Sequence, residues 1–456
     1  MTQVIFMRTV TRGTTGGSDN SNNAGASYTA LRGHKWWGPL NANAEFLGST
    51  PWSAAGTFQK LSVSLYAAIT VDITVVLRVN GVDTGITATI TAGTLAATDL
   101  THTAAITAGQ TVTFKRTWSN VGNPPSISTT DTYLAISFVP TTTGASGYCQ
   151  ASDDVAVDGA STYYIGPWNA GHAWYLVPAP TPAAPIPNVS AVTVVAAAGT
   201  LTRIDARLLD APGGATARVF TCFKNGIVQD GTAGSVDTRL TITGASTSGS
   251  ATFTLALVAT DVLTVRETVT GAPTATRITL STAFTATVDG QYNLAFDTRG
   301  AQPSPTLTDV TSEQELGWGQ TSYAGLPQAE VAMFTPSGSD TFRVAGMHVW
   351  TATSNAAVVG SGYTFTTRKN LAATSLGSVF IDTGSVPSGT VIRGQTNTGL
   401  VDYTLVTDQY TFGSVPTLGA SQPPTVYVGW TYLLTAIPST AGTGGGIAGA
   451  TCPSLT

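Results

Sequence analysis

Lysine and glutamate are nearly missing from this chain: five of each in 456 residues, beside fifteen Arg and twenty Asp. Charged residues make up 10% of the sequence, against about 25% in an average soluble domain. Lys and Glu normally supply the solvent face of helices, so amphipathic helices have almost no raw material here. Three cysteines exclude a disulfide framework. Cys222 falls in an alternating run and reads as a small core hydrophobe. Cys149 and Cys452 fall in linker-like and tail-like sequence, where an intermolecular bridge through either stays open. The chain reads as one made in a reducing cytoplasm. No apolar run reaches the 18 residues of a membrane span. Val4-Ile5-Phe6-Met7 is too short for the apolar region of a secretory signal, so no membrane partner is expected. The net charge is −5, and Lys115-Arg116 and Arg368-Lys369 are isolated basic pairs. Nucleic acid is therefore excluded as a main partner, because phosphate binding needs clustered Lys and Arg.

Thr, Val and Ile fill the periodic segments instead, and β-branched residues suit a pleated, half-buried surface. With 49 Gly and 23 Pro as breaks, the fold class is all-β. One motif returns at a fixed interval. Val79-Asn80-Gly81 follows the alternating run Ile73-Thr74-Val75-Val76-Leu77-Arg78. Phe220-Thr221-Cys222-Phe223-Lys224-Asn225-Gly226 has the same form. Tyr363-Thr364-Phe365-Thr366-Thr367-Arg368-Lys369-Asn370 is a third copy, with Leu371 in place of the glycine. Asn80, Asn225 and Asn370 are 145 residues apart in both steps. Each is followed by a polar turn and another alternating strand: Ala108-Gly109-Gln110-Thr111-Val112, Ala259-Thr260-Asp261-Val262-Leu263 and Val406-Thr407-Asp408-Gln409-Tyr410. Each copy opens on an aromatic, glycine-rich stretch: Trp36-Trp37-Gly38-Pro39, Tyr163-Tyr164-Ile165-Gly166-Pro167-Trp168 and Gly317-Trp318-Gly319. Self-similarity at a fixed period means one structural unit used several times.

The expected architecture is three tandem antiparallel β-sandwiches with flexible termini, jelly-roll-like, with an immunoglobulin-like sandwich as the alternative. The boundaries read as an N-terminal arm over 1–26, sandwiches over 27–147, 148–299 and 300–438, and a Gly-rich tail over 439–456. Within the arm, Val4 to Val10 suits an edge strand. Residues 141–147 read as a linker. The Pro-rich segment 178–187 cannot join an inner strand and belongs on the surface. Asn-Gly at 80 and 225 predicts two-residue hairpins.

Clustered chemistry is hard to find. No Cys-x-x-Cys, His-Glu-x-x-His or Gly-x-Ser-x-Gly spacing occurs. Asp153-Asp154 with Asp158 offers oxygens for calcium but lacks the remaining ligands of a calcium loop, and reads as a solvated turn. Glu267, Glu313, Glu315 and Glu330 have no aromatic sugar-site context beyond Trp318. Of the four histidines, His34, His172 and His348 each precede a tryptophan by two positions, which on a strand puts the pair on one face. That arrangement suits either an aromatic-ligand platform or interdomain packing. The expectation is a chain without catalytic residues, cofactor or metal, and not an enzyme. The candidate binding residues are the aromatic contact surfaces Trp36, Trp37, Tyr163, Tyr164, Trp168, Trp174 and Trp318. The same residues also suit plugs for the open ends of the sandwiches.

With tandem sandwiches, Thr/Ala/Gly/Ser-rich strands, an Asn-Gly turn, few Lys and Cys and no signal sequence, the chain resembles structural proteins of tailed-bacteriophage virions. The resemblance covers nearly the whole chain and carries over no site residue. It implies a capsid decoration or head-associated protein of the virion, assembled in the host cytoplasm among other virion proteins. The alternative within it is a tail fibre or baseplate adhesin that binds a host surface glycan. A homo-oligomer is implied in either case. Three sandwiches in one chain imitate a trimer, or three chains assemble into a larger trimer.

Overall fold

The computed structural model describes residues 2–9, 26–29, 31, 44–65, 68–119, 132–151, 157–170, 175–176 and 192–297. Beyond these it describes the strand segments 314–316, 333–334, 342–353, 362–369, 377–382, 391–396, 401–403, 409–417 and 426–436. The arm beyond Thr9, the Pro-rich segment, the Asn370 turn and the tail lie outside the described residues. Among the described residues no helix is long and apolar enough to cross a membrane.

The first group of strands is β1 (Gln3–Thr9), β2 (Ala26–Thr29), the short helix α1 (Ala44–Gly48), β3 (Thr50–Pro51), β4 (Gly56–Leu65), β5 (Ile73–Val79), β6 (Val82–Ile90), β7 (Ala96–Ile106), β8 (Thr111–Trp118) and β9 (Thr132–Pro140). The second is β10 (Ala145–Ala151), β11 (Tyr163–Ile165), β12 (Asn169–Ala170), β13 (Tyr175–Leu176), β14 (Thr193–Val194), β15 (Gly199–Leu208), β16 (Ala217–Lys224), β17 (Ile227–Val228), β18 (Leu240–Thr243), β19 (Ser248–Leu257), β20 (Val262–Thr270) and β21 (Ile278–Ala286). The third is β22 (Gln291–Asp297), β23 (Gln314–Leu316), β24 (Met333–Phe334), β25 (Phe342–Thr353), β26 (Gly362–Lys369), β27 (Gly377–Asp382), β28 (Val391–Thr396), β29 (Val401–Tyr403), β30 (Gln409–Thr417) and β31 (Val426–Ala436).

These strands form pairs of sheets with one topology. The first pair runs β1-β9-β4-β7 and β2-β8-β5-β6. The second runs β10-β21-β15-β19 and β11-β20-β16-β17, and the third β22-β31-β25-β28 and β23-β30-β26-β27. Counting the eight main strands of each unit in order, the sheets read 1-8-3-6 and 2-7-4-5. That is a jelly roll, two Greek keys closed into a sandwich; among the described strands the seven-stranded immunoglobulin order does not occur. The first strand of each unit is supplied early. β1 pairs with β9, β10 with β21 and β22 with β31. Residues 145–147, expected as linker, therefore begin a strand. β22 falls within the stretch grouped by sequence with the second sandwich, yet its ladder places it in the third.

The repeat holds down to single hydrogen bonds. β4 and β15 have the same sequence of buried and half-buried positions, and both carry a bulge, at Gln59/Leu61 and Leu201/Arg203. The N–H of Trp52 donates to Gln110 O and its carbonyl accepts from Gly109 N, both at 2.8 Å. Val195 makes the same two bonds with Asp261 O and Thr260 N, also at 2.8 Å. At the hairpin tips Asn80 and Gly81 have φ of 50° and 76°, and Asn225 and Gly226 have 53° and 79°. Two consecutive positive φ values make the type I′ turn that the Asn-Gly pairs predict. Each Asn then braces the strand beyond: Thr111 N donates to Asn80 Oδ1 at 2.9 Å, and Val262 N to Asn225 Oδ1 at 2.8 Å.

The cores follow from period-two alternation. Phe58, Leu61 and Val63 of β4 face Ile73, Val75 and Leu77 of β5 and Phe114 of β8 across the first sandwich. Leu201, Ile204 and Ala206 of β15 face Phe220, Cys222 and Val265 across the second.

Candidate functional site

One set of buried polar contacts joins one sandwich to the next. The turn after β3 sets the end of the first sandwich on the outer face of the second, against β10, β15 and β21. Trp52 plugs the first core, with ring centroids 5.3 Å from Phe58 and 5.2 Å from Phe138. Its far edge lies over Gly147 of β10, where a Cβ would come within 2.5 Å of the indole. Beside it Ser53 donates to Asp205 Oδ2 at 2.6 Å and shares a hydrogen bond with Ser281. Asp205 is also gripped by Arg203 through both oxygens, at 2.8 and 2.7 Å. Gln3 of β1 pairs with the Gly147 backbone through two reciprocal bonds of 3.0 Å. Cys149 is buried against Leu31 O. It lies in β10 rather than in a linker, which removes it from any bridge to another chain.

The second junction repeats the first. The turn after β14 sets the second sandwich on β25 and β31. Asn293 Oδ1 of β22 accepts from Ala196 N and Ala197 N at 2.8 and 2.7 Å. Asn293 N donates to the Tyr148 hydroxyl at 2.9 Å. His348 of β25 holds the register position of Asp205: Asp205 pairs with Ser281, and His348 with Thr431 on the equivalent strand. Burial alone pushes its imidazole from 6.5 down to about 4. His34 and His172 lie outside the described residues. His348 is buried, so it offers no open platform for a ligand.

A separate buried pair lies inside the second sandwich. Arg218 and Glu267 have no solvent exposure and meet at 2.7 Å. Arg218 Nη2 also donates to the carbonyls of Val157, Asp158 and Thr274 at 2.8 to 3.1 Å. Burial raises the Glu267 carboxyl from 4.5 to about 7 against the pull of Arg218. Asp158 accepts from Ala160 N, Ser161 N and Oγ, and the Tyr163 hydroxyl. It organises a turn, and its carboxyl is lowered by those bonds. Asp153 and Asp154 lie outside the described residues. Among the described residues, no three His, Cys, Asp or Glu side chains stand close enough to share a metal ion.

The aromatic candidates divide into two groups. Trp36, Trp37, Trp174 and Trp318 lie outside the described residues. Tyr163, Tyr164 and Trp168 are 7%, 5% and 0% exposed, so they form no open platform and belong to the interior. Trp168 packs at 5.1 Å from both Tyr148 and Phe284 and donates its indole N–H to Thr282 Oγ1. Trp168 and Tyr163, whose hydroxyl donates to Asp158 Oδ2, are apolar bodies with their polar tips satisfied, which is how large aromatics enter cores. Ser53, Asp205 and Asn293 went unnoticed in the sequence. Aligning the repeats strand by strand marks the position: Ser62, Asp205 and His348 are buried polar residues at one register of their strands.

No family model and no curated protein sequence matches the chain. Among solved structures, a protein of Sulfolobus turreted icosahedral virus aligns over 84% of this chain and 80% of its own, at 12% identity and a TM-score of 0.19. A cowpea mosaic virus top-component chain aligns over 66% of this chain and 92% of its own, at 11% identity and a TM-score of 0.18. PNGF-II aligns over 84% and 99%, at 9% identity and a TM-score of 0.22. These scores are too low for any of the three likenesses to carry an argument.

Proposed function

We propose that this chain is a non-enzymatic structural protein of a virion, a capsid decoration or head-associated protein of a tailed phage that stabilises the particle. The observation that supports it most is the use of one jelly roll three times, joined by one repeated, fully buried contact. A repeated surface suits a repeated environment such as a shell, and jelly rolls are a common shell module; that link is an analogy of fold. The charged groups point the same way. Asp99, Asp158, Asp205 and Glu267 each close a contact inside a sandwich or between two, the work of a scaffold. Its partners are neighbouring virion proteins and further copies of itself. Burial of Tyr163, Tyr164 and Trp168 removes the described part of the platform that a glycan-binding adhesin needs, which favours assembly over attachment.

The test is quantitative mass spectrometry on gradient-purified particles, followed by thermal challenge of particles made without the chain. The expected result is a fixed copy number per particle and release of the genome at lower temperature when the chain is missing. Absence from purified particles, or unaltered stability without it, overturns the reading.

A further inference from the structure

We infer that the three sandwiches close into a ring within one chain, the β24 end of the third docking on the outer face of the first sheet, β1-β9-β4. This inference is independent of the virion reading.

Three observations carry it. The first is burial. In β9 the core takes Leu134, Ile136 and Phe138, so Tyr133, Ala135 and Ser137 point outward, yet they are 4%, 3% and 0% exposed. Ser62 of β4 and Val4 of β1, on the same outer face, are 6% and 1% exposed. These are the register equivalents of Thr279, Ser281, Ala283, Asp205 and Gly147; in the second sandwich the first one covers Ser281, Ala283, Asp205 and Gly147. Ala283 packs into the first sandwich's core cluster, and its equivalent Leu433 packs against the second's. The corresponding Ser137 is covered in the same way.

The second observation is the element that the repeat assigns to cover this face. β3 pairs with β8, β14 with β20 and β24 with β30 in one register, Thr50, Thr193 and Met333 being equivalent. β3 and β14 each lead into the turn that docks on the next sandwich. β24 is the remaining copy, and the outer face of β1-β9-β4 is the remaining receptor.

The third is direct contact between the first strands. β1 meets β10 through Gln3 and Gly147, β10 meets β22 through Tyr148 and Asn293, and β22 returns to β1 through the Tyr292 hydroxyl, which accepts from Val4 N at 3.3 Å. A small opening of about 190 Å³, including its solvent-open part, is lined by Thr2, Gln3, Gly144–Ser146 and Gly290–Tyr292. Those are equivalent segments of the three units. A head-to-tail contact that returns to its start makes a closed ring rather than an open filament.

Closure places the end of β31 beside the start of β1, as the end of β9 stands beside the start of β10. The experiment is a circular permutant. Ala436 is joined to Gln3 by a copy of the turn 141–144, and the chain is opened between Thr142 and Thr143. The expected result is a folded protein whose thermal midpoint lies within about 3 °C of the parent. A second variant guards against a folding failure: Thr2→Cys and Ala436→Cys in a Cys452→Ser background, treated with a short bis-maleimide. A cross-link within one chain supports closure even if the permutant does not fold. A cross-link only between chains, or none, together with an unfolded permutant, overturns it.

Discussion

At the first junction a carboxylate, Asp205, is held by Ser53 from the neighbouring sandwich and by Arg203 from its own strand. At the second, the same register position carries His348, a neutral imidazole desolvated by the packing around it. The backbone contact is common to both, and the electrostatics are not. A jelly roll can therefore keep one docking geometry while the polar residue at its centre changes, provided the new group is either paired or uncharged. The first junction is an ion-paired lock, and the second is held by shape and by the Asn293 amide, with a buried imidazole at the equivalent register position.

Removing the lock is the largest expected break. Asp205→Ala leaves Ser53 and Arg203 facing a buried gap and should cost about 3 kcal/mol, in line with breaking a buried pair from one side. Urea unfolding measures it; a loss under about 1 kcal/mol makes the pair ornamental. The second junction breaks with acid. A folded pKa near 4 against 6.5 means that the contribution of His348 is full above about pH 6.5 and drains as pH falls towards 4. The loss comes to about 3 kcal/mol. His348→Gln should flatten the fall in thermal midpoint between pH 7 and pH 4.5. Glu267 acts with the opposite sign. Its folded pKa is raised from 4.5 to about 7, so its contribution is present below pH 4.5 and lost as pH rises through 7. Glu267→Gln should remove that slope and leave the acid limb due to His348.

Smaller effects sharpen the comparison. Gly147→Ala puts a methyl into the Trp52 ring and should cost about 1–3 kcal/mol by overpacking. Gly226→Ala has open space around it but a φ of +79°, so only backbone strain of about 1 kcal/mol is expected. Equal losses for the two, by chemical denaturation, contradict the close approach at the first junction.

How much of this the sequence disclosed depends on the range of the interaction. Asn80-Gly81 and Asn225-Gly226 were legible because a type I′ turn is written in two adjacent residues. The core positions of β5, β8, β16 and β20 were legible because alternation is local. The first strands β10 and β22 were not, since each pairs with a strand well over a hundred residues later in the chain and begins as ordinary Thr, Gly and Ala sequence. The junction was hidden for the same reason: Ser53 and Asp205 are 152 positions apart, and neither is unusual by itself. Trp168 and Tyr163 misled in the opposite direction. Aromatic residues flanked by Gly and Pro suit an exposed contact surface, and only Thr282 and Asp158, which satisfy their polar tips, show why they are inside.

The most direct measurement is a disulfide across the first junction. Ser53→Cys and Ser281→Cys are combined with Cys149→Ala, Cys222→Ala and Cys452→Ser, since Cys149 is the cross-strand partner of Ser281, and the protein is oxidised mildly as it folds. Head-to-tail docking of equivalent sandwiches predicts rapid, quantitative bridging within a single chain and no loss of folded structure. Thiols that remain reduced, or that bridge only between chains, contradict it.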